Sequence, residues 1–207
     1  MKKRDIIIIC VLSIIFISML FLVRFYSGFD EAIYNFISSF RGNVLDTYFS
    51  TITHLGDPTI SGILIIICLV LFNKRERVFL LICVGLGLLS NSLLKNLICR
   101  TRPDHLRLVE QGGYSFPSGH SMISICFYGL LMYLIMTKVN NKVIKIISMI
   151  VFSIIVISIP ISRVYVGVHY PTDVIAGLCL GGIVLILSIY NINNVFGGNN
   201  NEKSRSK

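Results

Sequence analysis

The 207-residue chain has no tryptophan and only ten aspartates and glutamates. Without tryptophan, anchoring at a membrane interface falls to tyrosines such as Tyr26, Tyr48, Tyr114, Tyr133, Tyr165, Tyr170 and Tyr190. Charged residues amount to 14% of the chain and hydrophobic residues to 54%. A water-soluble domain of this size needs a far more polar surface, so that class is excluded and a polytopic membrane protein is expected. The net charge of +9 would suggest nucleic acid in a soluble protein. Its distribution here points to lipid headgroups and orientation, and no nucleic-acid partner is expected. The six cysteines (Cys10, Cys68, Cys83, Cys99, Cys126, Cys179) match neither a disulfide framework nor a metal site, and read as small buried hydrophobes.

What the chain does have is long apolar runs, and they predict an all-α protein with six transmembrane helices and one short interfacial helix. The first span is Ile6–Val23, behind Lys2, Lys3 and Arg4; it is long enough to cross and no small-residue cleavage signal follows it. Within 24–58, Ile33, Phe36, Ile37 and Phe40 recur at helical spacing and predict an amphipathic helix, either lying in the interface or packed outside the membrane on its own protein, with His54, Asp57 and Pro58 marking the start of the next span. The remaining spans are expected at Thr59–Phe72, Val78–Ile98, Gly119–Met136, Val143–Ile159 and Pro171–Tyr190. Pro160 is expected to lead out of the fifth, and residues 99–118 to form a loop. Residues 1–190 thus make one membrane domain, and 191–207, rich in Asn, Gly, Ser and Lys, read as a disordered cytoplasmic tail. No obligate protein partner is implied.

Positive charges orient this arrangement. With both termini on the cytoplasmic side, the inner segments hold Lys2, Lys3, Arg4, Lys74, Arg75, Arg77, Lys138, Lys142, Lys145, Lys203, Arg205 and Lys207, the majority of the 19 Lys and Arg residues. Arg24, Arg41, Lys95, Arg100, Arg102, Arg107 and Arg163 remain for the other side. Three polar clusters then emerge at one depth on that outer side: Lys95 to Pro103, Pro117–Ser118–Gly119–His120, and Ser162 to Asp173.

Charged groups beside a span are costly to bury and ask for a function. An acid four residues after His169, Asp173, can hold one imidazole nitrogen and leave the other as a nucleophile. Ser118 can cap a helix whose first amides favour an anion, Gly119 lets a ligand approach the backbone, and His120 in the first turn can protonate a leaving oxygen. Lys95, Arg102 and Arg163 bring three cations to the same anion. Asp173 is the single acid in the three clusters, which argues for phosphoryl transfer through histidine with no metal or other cofactor. A transporter of a phosphorylated solute is the alternative of a different class, but the span centres lack the opposing polar set that a path needs.

The pattern Lys95-x₆-Arg102–Pro103, Pro117–Ser118–Gly119–His120, Ser162–Arg163-x₅-His169-x₃-Asp173 resembles the three-part signature of the type 2 phosphatidic acid phosphatase (PAP2) superfamily, over about residues 45 to 190. The resemblance implies a six-helix core in the cytoplasmic membrane, an extracytoplasmic active site and metal-independent hydrolysis of lipid phosphates. It implies His169 as nucleophile, Asp173 as its orienting partner, His120 as general acid, and Lys95, Arg102, Ser118, Gly119 and Arg163 as phosphate ligands. Vanadium haloperoxidases share the constellation but are soluble. The compact form is similar to bacterial undecaprenyl-pyrophosphate and phosphatidylglycerophosphate phosphatases. Undecaprenyl pyrophosphate is the first expected substrate, with Arg100 and Arg107 as extra cations for a diphosphate; phosphatidylglycerophosphate or phosphatidic acid is the alternative.

Overall fold

The computed structural model describes the backbone of residues 1–205 and the side chains of residues 1–191, and among these there are helices and turns but no strand. Five helical runs are long and apolar enough to cross a bilayer: α1 (Lys3–Phe25), α5 (Lys74–Ile98), the continuous run Gly119–Lys138, α8 (Lys142–Tyr165), and the Pro171–Asn191 portion of α9 (Pro171–Arg205). A sixth crossing is reached if the bent pair Asn43–Gly56 and Pro58–Leu71, which turns by 52°, counts as one span. The apolar residues that sequence placed in spans face outward in numbers no soluble fold would carry, among them Ile7, Ile14 and Ile17 on α1 and Ile147, Ile150 and Ile154 on α8. They meet lipid.

Between the first and second spans the expected single interfacial helix is two helices, α2 (Gly28–Ser38) and α3 (Asn43–Ile52), followed by a tight turn at Thr53–Gly56. Of the predicted stripe, Phe36 and Phe40 are exposed, while Ile37 joins Tyr34, a residue outside the stripe, in packing against Val164, Val174 and Leu178. The segment therefore packs on the outer ends of α8 and α9 through part of that stripe. The helix α4 (Pro58–Leu71) has Pro58 in its first turn, where the missing N–H costs nothing.

The run from Gly119 consists of α6 (Gly119–Ile123), one wider π turn at Ser124–Gly129, and α7 (Leu130–Lys138). The fifth span corrects the expectation: α8 continues past Pro160 to Tyr165 instead of ending at Ile159. Proline removes one helical hydrogen bond, that of position 160 to the Val156 carbonyl, but the buried surroundings hold the last turn in place, where Ser162 Oγ donates to the Ile159 carbonyl at 2.6 Å. Arg163 thus rides on a helix and not in a loop. The expected disordered tail falls largely on residues outside the described side chains, although α9 is carried as helix to Arg205.

With lipid tails as apolar as leucine, helices in a membrane associate through close packing of small residues. On α9, Asp173, Gly177 and Gly181 follow at intervals of four and share one face. A Cβ on Gly177 would stand 2.6 Å from the Ser118 carbonyl oxygen, and one on Gly181 would stand 3.2 Å from that of Met122. At the top of the same seam the Ser118 N–H donates to the Asp173 carbonyl at 3.0 Å. Two motif clusters far apart in sequence are thereby locked edge to edge.

Candidate active site

The turn that bears His169 is built by the end of α8. Arg163's carbonyl accepts from the N–H groups of Val168 and His169, and Gly167 makes the reversal at φ 78°, where its missing Cβ leaves room for the Leu106 carbonyl. Arg41 donates to the carbonyls of Leu106 and Tyr165, both at 2.8 Å, and ties the α2–α3 connection to this turn. His169 is buried there, with Nδ1 3.3 Å from Asp173 Oδ2 and Nε2 3.0 Å from the Arg102 guanidinium. A guanidinium only donates, so Nε2 carries the lone pair and Nδ1 carries the proton. The ring is a neutral imidazole with its free nitrogen beside a cation.

Asp173 is itself over-determined. Arg100 donates to its Oδ1 at 2.6 Å, and the Tyr170 N–H donates to Oδ2 at 3.0 Å. The other arm of Arg100 reaches Asp30 on α2 at 2.7 Å, and Asp30 accepts from the Thr172 N–H and hydroxyl, both at 2.9 Å. Asp30 thus caps the amino end of α9 from another helix, a favourable place for a carboxylate. Arg100 also lies over the Tyr170 ring at 3.8 Å. Its guanidinium is committed to two buried acids, which corrects its expected part as an extra cation for a diphosphate.

On the other wall, Ser118 caps the run from Gly119, its Oγ accepting weakly from the Ser121 N–H at 3.4 Å. Asn91 of α5 donates to the Pro117 carbonyl at 3.0 Å, and its side-chain oxygen faces Gly119 closely. His120 places Nε2 2.9 Å from Asp57 Oδ1. Lys95, in the last turn of α5, donates to the Tyr114 carbonyl. Arg102 donates to the carbonyls of Gly112, Gly113, Tyr114 and Val168 as well as facing His169. Burial holds its pKa down to about 10, which leaves it charged at neutral pH.

A cavity of about 350 Å³ opens over these groups. Lys95, Arg102, Gly119, His120 and His169 line its polar end, and Ile65, Val84, Leu88 and Ile123 its apolar side. Ser118, Arg163 and Asp173 stand buried in the surrounding framework. Arg163 donates to Thr53 Oγ1 and to Gln111 Oε1, while its buried Nε has no partner. All eight residues singled out from the sequence are therefore gathered in one region, five at the surface of the cavity and three behind it. Among the described residues no group of three or more His, Cys, Asp or Glu side chains is placed to hold a metal ion.

Three participants escaped the sequence reading: Asp57, Asp30 and the structural use of Arg100. Asp57 showed only as an acid before proline, a common helix start. Asp30 lies about seventy residues from Arg100 and has no local signal.

Residues 76–196 match the sequence profile of the PAP2 superfamily. The chain is 35% identical over 167 residues to phosphatidylglycerophosphatase B of Bacillus subtilis, covering 76% of this chain and 80% of that protein. It is 32% identical over 130 residues to an undecaprenyl-diphosphatase of Sulfolobus acidocaldarius, covering 58% of this chain and 59% of that one. Its fold is similar to the crystal structure of a transmembrane PAP2 type phosphatidylglycerolphosphate phosphatase from Bacillus subtilis, with a TM-score of 0.78 and 30% identity over 89% of this chain and 96% of the other.

Proposed function

Since the chain belongs to the PAP2 superfamily and is a multi-pass membrane lipid phosphatase, we propose that it removes the terminal phosphate of an anionic lipid on the outer face of the cytoplasmic membrane by way of a phosphohistidine. The observation that carries this reading is the proton-free Nε2 of His169, 3.0 Å from Arg102 and backed by Asp173. Nε2 attacks phosphorus and forms the N–P bond as the P–O bond to the lipid breaks; His120 gives its proton to the departing oxygen. Water then attacks phosphorus, its proton returns to His120, the N–P bond breaks, and phosphate leaves. Lys95, Arg102, Arg163 and the first amides of the run from Gly119 stabilise the equatorial oxygens. The lipid tail follows the apolar side of the cavity past Ile65 and Leu88.

A phosphate monoester such as phosphatidylglycerophosphate is the first substrate. The curated relative with the widest shared coverage of the two named above carries that specificity in its name, and Arg100 is not free to meet a second phosphate. Undecaprenyl pyrophosphate is the second reading, supported by the Sulfolobus relative. The transport alternative is not favoured, because these relatives are phosphatases.

Phosphate release from phosphatidylglycerophosphate, phosphatidic acid and undecaprenyl pyrophosphate, measured side by side on purified protein, ranks the substrates. His169→Ala is expected to abolish turnover and the trapped phosphoenzyme, and His120→Ala to lower turnover by about 10²–10⁴. Full activity in either variant rejects the mechanism. Because no three His, Cys, Asp or Glu side chains among the described residues are placed to hold a metal ion, activity is expected to persist in excess chelator; loss restored only by a divalent ion counts against the metal-independent reading.

A further inference from the structure

Asp57 occupies the position that precedes α4, where an aspartate ordinarily turns its carboxylate onto the first amides of the helix. It makes no such cap bond. Both oxygens face histidines instead: Oδ1 lies 2.9 Å from His120 Nε2, and Oδ2 lies 2.6 Å from His54 Nδ1. His120 is buried, Asp57 is about one-third exposed, and His54 is about half exposed. The three side chains form a line from the cavity to the surface. Gly56 makes the line possible, since a Cβ there would fall 2.6 Å from the His120 ring.

We propose that Asp57 is the positioning residue of the proton-donating step and that His54 supports it from the solvent side. This inference rests on the phosphatase reading above. A carboxylate accepting from Nε2–H turns the other ring nitrogen of His120, Nδ1, toward the departing oxygen. It also favours the imidazolium that must be present when the P–O bond breaks. The arrangement mirrors that of the nucleophile, in which Asp173 holds His169, so each histidine has its own acid. His54 holds the second oxygen of Asp57 and keeps the carboxylate from swinging onto the α4 amides.

The proton leaves Nδ1 in the first step and comes back from water in the second, so the cycle balances without another reactant. A good leaving group needs little protonation, and this separates positioning of the acid from general damage. Single-turnover release of the leaving group is measured for phosphatidic acid, which expels an alkoxide, and for p-nitrophenyl phosphate, which expels a stable phenolate. Asp57→Asn is expected to slow the alkyl ester by on the order of 10- to 100-fold, a part of the roughly 10²–10⁴ that general acid catalysis supplies, with KM little changed and the aryl ester slowed far less. His54→Gln, a half-exposed site whose substitution leaves the fold intact, is expected to slow the alkyl ester by about threefold and to spare the aryl ester. Protection from thermal unfolding by inorganic phosphate should survive both changes.

Equal slowing of the two esters, or no slowing of either, overturns the inference. If Asp57→Asn does not fold, the His54→Gln comparison decides alone. A wild-type enzyme that releases no phosphate from either ester overturns the phosphatase reading itself, which is a separate outcome.

Discussion

At the scale of single residues, His169 carries the clearest electrostatic signature. Burial first, and then the nearby Arg163, Arg102 and Lys95 cations, hold its imidazole well below the ordinary histidine value. The neutral imidazole, the form that the proposed attack requires, therefore persists into mildly acidic solution. The same shift has a consequence for stability. Below about pH 6.5 an unfolded histidine takes up a proton that the folded one refuses, so the unfolded state gains and stability falls as pH drops. Thermal unfolding of phosphate-free protein in detergent should show a lower midpoint at pH 5 than at pH 7, and His169→Gln should flatten part of that slope. A slope unchanged by the substitution would assign the effect to other groups.

At the scale of elements, α2 is not a passive interfacial helix. Asp30 reaches across to Arg100 and to the amino end of α9, and Arg100 in turn holds Asp173. These charges are almost fully removed from solvent, with side-chain exposures of 2% for Asp30, 13% for Arg100 and 0% for Asp173. Breaking such a buried pair by deleting one partner leaves an uncompensated charge and costs about 3–5 kcal/mol. Arg100→Ala is accordingly expected to lower the unfolding midpoint and to reduce turnover more than it raises KM, because Asp173 loses its anchor while Lys95 and Arg102 remain. Asp30→Ala should reproduce much of this from a residue that touches no substrate. If Arg100→Ala instead raises KM alone, the arginine acts on the phosphate and not on Asp173.

At the scale of the whole molecule, the Lys/Arg asymmetry leads us to expect the site on the outer face. The 99–118 loop that closes the site is on the side opposite Thr137 and Lys138, and Leu106 in that loop is exposed. In intact cells, Leu106→Cys in a Cys99→Ser background should react with a membrane-impermeant maleimide, and Thr137→Cys should react only after permeabilisation. The reverse pattern would put the site on the cytoplasmic side.

Apolar runs are properties of composition along a line, so the all-helical, multi-span character of the chain, the approximate limits of most spans and the grouping of three polar clusters were legible in the sequence, while the count of six holds only if the bent pair around Asp57 is one span. Residue types at fixed offsets likewise singled out the eight residues that the fold gathers in one region. What the sequence could not contain is distance. The contact of Asp57 with His120, the Asp30–Arg100–Asp173 chain and the contact of Gly177 with Ser118 join residues separated by tens of positions, and only the packing of α2, α4, α6 and α9 decided them. A carboxylate before proline reads alike whether it caps a helix or faces two imidazoles, because its local sequence is the same and only its neighbours in space differ.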